Sequence, residues 1–240
     1  MNKHNLMLVA AVSSACLLML TGCQKKEMSQ AQMSKIVKTA NENFNKGELT
    51  EKNTATVMGI PTHTTISGKF QDKPLKLSAE MTTKAVGKKQ RDQIYVENGK
   101  SYTKHNGKWK EAKFSNVDTK DYQKPIKMVN QKEFNKNMKF NQTKNGDIEA
   151  KLELNKKQRQ KYLNTYVKKE VGNDAFAKAY LKDTKIKRVE ISELVDPKTK
   201  KVKHVDGKIA VSSMLLDYDE SINLNSIKDS AKIARPSDLK

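Results

Sequence analysis

Gln93-Ile94-Tyr95-Val96-Glu97-Asn98-Gly99-Lys100-Ser101-Tyr102-Thr103-Lys104-His105-Asn106-Gly107-Lys108-Trp109-Lys110 holds three short runs rich in β-branched and aromatic residues, separated by two Asn-Gly pairs. Both central residues of a type I′ turn need positive φ, which Asn followed by Gly adopts cheaply, so each pair predicts a two-residue hairpin. Three strands in sequence, each turned back on the last, make an antiparallel meander. The same turn chemistry recurs at Asn145-Gly146 and Asp206-Gly207, each between strand-like runs. Asp196-Pro197-Lys198-Thr199 adds a type I turn with Pro at its second position.

Working outward, the strand expectations are Thr54–Ile60, Thr62–Phe70, Leu75–Thr83, Gln93–Glu97, Ser101–His105, Lys108–Phe114, Met138–Thr143, Ile148–Leu154, Lys185–Val195, Val202–Val205, Lys208–Met214 and Tyr218–Leu224. Pro61 and Pro74 fall at strand boundaries, where a missing N–H is tolerated. The period changes in three places. Met33, Ile36, Val37, Ala40 and Phe44 repeat at three and four, which predicts a helix over 28–46 with Gly47 as its C-cap. Lys120–Asn137 carries Tyr122, Ile126, Val129 and Phe134 at helical spacing, and Asn155–Lys169 with Asn173–Leu181 carries Tyr162, Leu163, Tyr166 and Phe176. Asn155 and Asn173 are suitable N-caps. No repeat or low-complexity linker divides the chain, so a single domain over 30–230 is expected, with a polar tail at 231–240.

The first 23 residues read differently. Lys3 and His4 precede an apolar stretch from Leu6 to Leu20, followed by Leu20-Thr21-Gly22-Cys23. A run of about 15 residues is too short to span a bilayer and fits a secretory signal. Leu, a small residue and Gly ahead of Cys resemble the bacterial lipobox. That resemblance implies diacylglycerol transfer to the Cys23 thiol, cleavage after residue 22, and a short tether over 23–29. The expected localisation is the extracytoplasmic face of the cell membrane, anchored by lipid. Cys16 leaves with the signal, so no disulfide is expected.

The layout of lipobox, N-terminal helix, roughly ten antiparallel strands and a mid-chain helical insertion resembles the LolA/LppX-type half-barrel lipoproteins. The hairpins from Ile94 to Lys110, with Tyr95, Tyr102 and Trp109-Lys110, resemble those of Gram-positive members, as do the Asp196–Thr199 turn and the late Ile233–Pro236. The resemblance covers most of 30–236. It implies an α+β fold: a curved antiparallel sheet with the N-terminal helix and inserted helices across its concave face. It also implies a hydrophobic cavity between sheet and helices that takes acyl chains.

Catalytic motifs are sparse. There is no H-E-x-x-H, G-x-S-x-G, Walker A or C-x-x-C pattern, and no cofactor is expected. Ser101-Tyr102-Thr103-Lys104 has the letters S-x-x-K, but residues three apart in a strand point to opposite faces. Asp217, Asp219 and Glu220 could hold a hard cation; a solvated strand face is the simpler reading. His63, His105 and His204 are scattered. Tyr95, Tyr102 and Trp109 suit cross-strand packing better than a pocket. The chain is therefore not expected to be an enzyme.

The charge narrows the partners. Lys and Arg number 47 against 27 Asp and Glu, a formal +20, yet Arg occurs only at 91, 159, 188 and 235. Arg is the residue suited to bidentate phosphate and base recognition, so nucleic acid is not an expected partner. Two functional readings follow. One is a carrier of a lipid or other hydrophobic or amphiphilic ligand. The other is an envelope interaction lipoprotein whose Lys surface meets an anionic polymer or a partner protein.

Overall fold

The computed structural model describes residues 27–112, 137–163, 183–214, 216–228 and 230–239. Their fold is α+β: a large curved antiparallel sheet that does not close, with two helices. The strands are β1 (Lys46–Val57), β2 (Ile60–Gln71), β3 (Lys76–Ala85), β4 (Lys88–Glu97), β5 (Lys100–His105), β6 (Lys108–Ala112), β7 (Lys139–Gln142), β8 (Ile148–Glu153), β9 (Lys185–Asp196), β10 (Lys201–Ser212) and β11 (Leu216–Ser226). Their order is β6-β5-β4-β3-β2-β1-β11-β10-β9-β8-β7, so two meanders meet where β1 pairs with β11.

Helix α1 (Gln30–Asn43) starts in a capping box: Ser29 Oγ accepts from Gln32 N and Gln32 Oε1 accepts from Ser29 N. It ends at Phe44, earlier than periodicity predicts, and Gly47 is no cap but the second residue of β1. The reason is steric. A Cβ at Gly47 would lie 2.7 Å from Asn225 O and 3.0 Å from the rings of Phe44 and Phe70. The glycine lets those rings meet edge to face, 5.8 Å apart. Helix α2 (Lys156–Tyr162) has the Asn155 cap that the sequence predicts, again as a capping box with Gln158. The helical readings at Lys120–Asn137 (save its last residue) and Asn173–Leu181, and the later part of Asn155–Lys169, lie outside the described residues.

Of the four Asn-Gly and Asp-Gly pairs, two form the expected two-residue turn and two do not. Asn98-Gly99 and Asn106-Gly107 have φ of 53° and 76°, and 49° and 77°. Asn145-Gly146 belongs to a longer turn closed by Thr143 N donating to Asp147 O at 2.8 Å. Asp206-Gly207 is not a turn. β10 runs straight through it, because Gly207 is paired on both sides, with Ile222 of β11 and Ile191 of β9. The two runs expected at Val202–Val205 and Lys208–Met214 are thus one strand. Two hairpins carry a residue that no turn rule favours: Met58-Gly59 (φ 50° and 81°) and Val86-Gly87 (φ 47° and 72°).

Register puts Phe70, Leu77, Val96, Leu49, Leu224, Val205, Ile191 and Ile148 on one face, the face that α1 covers with Met33, Val37 and Ala40. All are 0–4% exposed. This layer is the core.

Candidate functional site

The helix face is not uniform along the strands. Nearest the Asn98-Gly99 end it is closed. Toward the Met58 end, the same register directs Glu51, Asn53, Ala55, Thr64, Ile66, Met81, Ile209, Val211 and Tyr218 inward, and these are only half-buried. Ile66, Met81 and Val211 pack against the core. Between them stand hydrogen-bonding groups: Asn53 Nδ2 donates to Glu51 Oε1 at 3.2 Å, and Tyr218 Oη donates to Glu220 Oε2 at 3.0 Å. Burial, then the Glu220 and Glu51 carboxylates, push the Tyr218 hydroxyl far above its ordinary range, so it stays a donor. This wall is apolar and polar at once.

One carboxyl sits inside the core itself. Glu193 of β9 is 1% exposed and accepts from Asn41 Nδ2 of α1 at 3.1 Å. Desolvation pushes it up to about 8, against the opposing effect of the Asn41 hydrogen bond. Glu193 shares the parity of Val189, Ile191 and Val195 along β9, which is the signal in the sequence for its burial.

The opposite face carries a second feature. Residues 231–240, expected as a polar tail, include Ile233 and Leu239, 6% and 7% exposed. After β11 the chain crosses back over β1–β5 as a strap. Lys46 Nζ donates to Ala231 O, Lys104 Nζ pairs with Asp238, and Trp109 Nε1 donates to Asp238 Oδ1 at 3.0 Å. Arg235 Nη1 lies 4.0 Å from Glu97 Oε2. Lys104 and then Trp109 hold the Asp238 carboxyl below its usual range. An open groove of about 1110 Å³ lies between strap and strands, bordered by Lys69, Glu80, Gln93, Lys104, Trp109 and Arg235. Its charges are largely paired: Lys69 lies 3.5 Å from Glu48, and Glu80 lies 4.0 Å from Arg91 outside the groove.

The residues singled out in the sequence are not brought together. Cys23 lies outside the described residues. Ser101 pairs with Val96 on the helix face, whereas Lys104 pairs with Gln93 on the strap face. Asp217 and Asp219 meet Lys187 and Arg188 at 3.1 and 3.4 Å, and Glu220 points to the other side with Tyr218. His63 meets Thr54, His105 meets Asp92 at 2.6 Å, and His204 bridges Asn225 and Asp206 at 2.7 Å each. Among the described residues no three metal-ligating side chains gather. Tyr95 and Tyr102 are cross-strand partners, as expected; Trp109 does border a groove. The strap itself was missed in the sequence, where Ile233 and Leu239 stand as isolated apolar residues among polar ones.

No protein-family model matches the chain, and no curated protein does. Among solved structures it is similar to LprF from Mycobacterium bovis, at 10% identity and a TM-score of 0.47 over 88% of this chain and 99% of that one. It is also similar to the Mycobacterium tuberculosis lipoprotein LppX, at 9% identity and a TM-score of 0.42 over 86% of this chain and 100% of that one.

Proposed function

We propose that the chain is an extracytoplasmic lipoprotein, held to the cell membrane through acylated Cys23, that carries a hydrophobic or amphiphilic ligand between its sheet and helices. The observation that carries this reading is the uneven filling of the helix face. A layer that packs Phe70, Leu77 and Val205 to 0% exposure leaves Ile66, Met81 and Val211 half-buried a few residues further along the same strands. An apolar wall interrupted by Tyr218, Glu220 and Glu51 suits a ligand with an acyl part and a polar part, because each buried polar group then keeps a partner. The Leu20–Cys23 motif supports the anchor: two acyl chains supply the two-signal attachment that one chain lacks.

Native mass spectrometry of the purified chain, before and after organic extraction, tests the carrier reading. A released mass in the lipid range is the expected result. A clean unliganded mass, together with no uptake of an added fluorescent fatty acid, would sink it. The anchor is tested separately: labelled palmitate should enter the wild-type chain in a bacterial host and not Cys23→Ala.

The second reading, an envelope protein that binds anionic polymer or a partner through its Lys surface, is favoured by the exposed Lys84, Lys88 and Lys89 on one hairpin. Polymer binding that disappears with rising salt, in a chain without bound lipid, would put it first.

A further inference from the structure

Among the described residues, five large apolar side chains stand half or more exposed: Val57 (50%), Met58 (77%), Ile60 (54%), Val86 (78%) and Met214 (82%). Single exposed apolar residues are ordinary on any protein surface. These five are not scattered. They occupy the β1–β2, β3–β4 and β10–β11 connections, which the strand order β4-β3-β2-β1-β11-β10 sets side by side at one end of the sheet. Strands spaced by about 4.8 Å put neighbouring hairpins about 10 Å apart, so the tips form one apolar rim. The turns at the opposite end carry Asn98, Asn145 and Lys198 instead.

The backbone supports a selected placement. Met58 and Val86 sit at φ of 50° and 47°, the first position of turns that Asn or Gly would fill without cost. A β-branched residue there is strained. Nothing in the fold needs these side chains, since they touch water and not the core. Strain at an exposed apolar tip is compatible with selection for what the tip meets.

The surroundings say what that is. Lys84, Lys88 and Lys89 flank Val86, Lys108 stands on the adjoining β5–β6 hairpin, and Lys185 and Lys187 stand on β9 beside Met214; all are exposed. Of the carboxylates at this end, Asp217 is paired with Lys187 at 3.1 Å. Apolar tips within a collar of lysines fit the boundary of an anionic bilayer: the tips enter the acyl region, and the lysine stems let their ammonium groups rest among headgroup phosphates. A soluble anionic polymer would satisfy the lysines and leave the tips in water. A folded acidic protein would need a matching apolar pocket at each tip.

We propose that this rim docks the domain on an anionic lipid bilayer, hairpin tips first. Val57 and Ile60 continue the helix-face register to its open end, whereas Met58, Val86 and Met214 stand in the connections beyond it. These three positions test the docking apart from the ligand reading, and it holds whichever way the N-terminus is fixed.

The test uses the full chain reconstituted on vesicles of phosphatidylcholine with phosphatidylglycerol. A diazirine photo-crosslinking side chain replaces Met58, Val86 or Met214 in turn, and Lys198 at the opposite end as control. The expected result is lipid adducts from the three rim positions and not from 198, falling several-fold in phosphatidylcholine alone. Adducts from 198 without rim adducts, or equal labelling at both ends, would overturn the proposal. Met58→Asn with Val86→Asn suits both positive-φ sites, so folding is retained. In this variant the adducts at position 214 should fall by about a hundredfold or more, the loss expected for removing two buried apolar side chains. Unchanged labelling at 214 would overturn the apolar part of the proposal. No lipid adduct at any rim position, together with binding of inorganic polyphosphate that disappears with rising salt, would assign the lysines to a polymer and overturn it as well.

Discussion

Glu193 is a carboxyl in a place made for an apolar side chain, and its proton decides what that costs. In the unfolded chain its value is the ordinary 4.5, and in the core it is about 8. The folded state therefore holds a proton that the unfolded state gives up between those values. Stability from this group is fully present below about pH 4.5 and is lost as pH rises through about 8. At roughly 1.4 kcal/mol per unit the loss is a few kcal/mol. A protonated Glu193 can return its proton toward the Asn41 carboxamide, the group that already donates to it at 3.1 Å. Glu193→Gln keeps the shape and removes the titration. Urea unfolding of both proteins should give near parity at pH 5 and an advantage for the variant at pH 9; a difference independent of pH would refute this account. Asp238 acts at the same scale on the other face. It is exposed, so its pairs with Lys104 and Trp109 contribute little to global stability. Their effect is local. Asp238→Ala should free the strap, seen as faster hydrogen exchange over 231–239 and a red shift in the fluorescence of Trp109, the chain's single tryptophan, with the unfolding midpoint scarcely moved.

At the scale of elements, the hairpins divide by how their turns are written. Asn98-Gly99 and Asn106-Gly107 are legible because the turn residues state their own φ. Met58-Gly59 and Val86-Gly87 are not: Met58 falls inside the expected strand Thr54–Ile60 and Val86 in no expected element, and only the pairing of β1 with β2 and of β3 with β4 forces them into positive φ. Val86→Asn should relieve about 1 kcal/mol of that strain and raise the unfolding midpoint, while removing an apolar tip from the rim. A midpoint that stays the same or falls would mean that Val86 is not strained. The reverse error at Asp206-Gly207 has the same origin. Asp-Gly is a turn only when nothing pairs with it, and here both neighbouring strands do. Gly68 shows a further constraint that no pattern contains, because a Cβ there would lie 2.6 Å from Ala79 Cα of β3.

At the scale of the molecule, what the sequence left unread is what depends on distant segments meeting. Alternation along each strand places the core, and the capping boxes begin both helices. The strap is different, since Ile233 and Leu239 acquire a partner surface only after β1–β5 have assembled beneath them. Charge is also a property of the whole. The chain carries a formal +20, and its exposed ion pairs, such as Lys187–Asp217 and Arg188–Asp219, cannot offset it because cations outnumber carboxylates 47 to 27. A surplus of this kind repels itself in the compact state more than in the expanded one. Added salt weakens both the favourable pairs and the general repulsion, so the sign of its effect shows which is larger. The Debye length falls from roughly 30 Å at 0.01 M to about 8 Å at 0.15 M. Contacts of about 3 Å are little screened over that range, whereas lysines spread across β3, β4, β9 and β10 are. The repulsion should therefore be lost first, and sodium chloride over this range should raise the thermal midpoint by a few degrees at pH 7. Chloride is preferred to sulfate, which would strengthen apolar burial by exclusion and confuse the sign. A midpoint that falls over the same range would show that specific ion pairs, not the lysine surplus, govern the electrostatics of this fold.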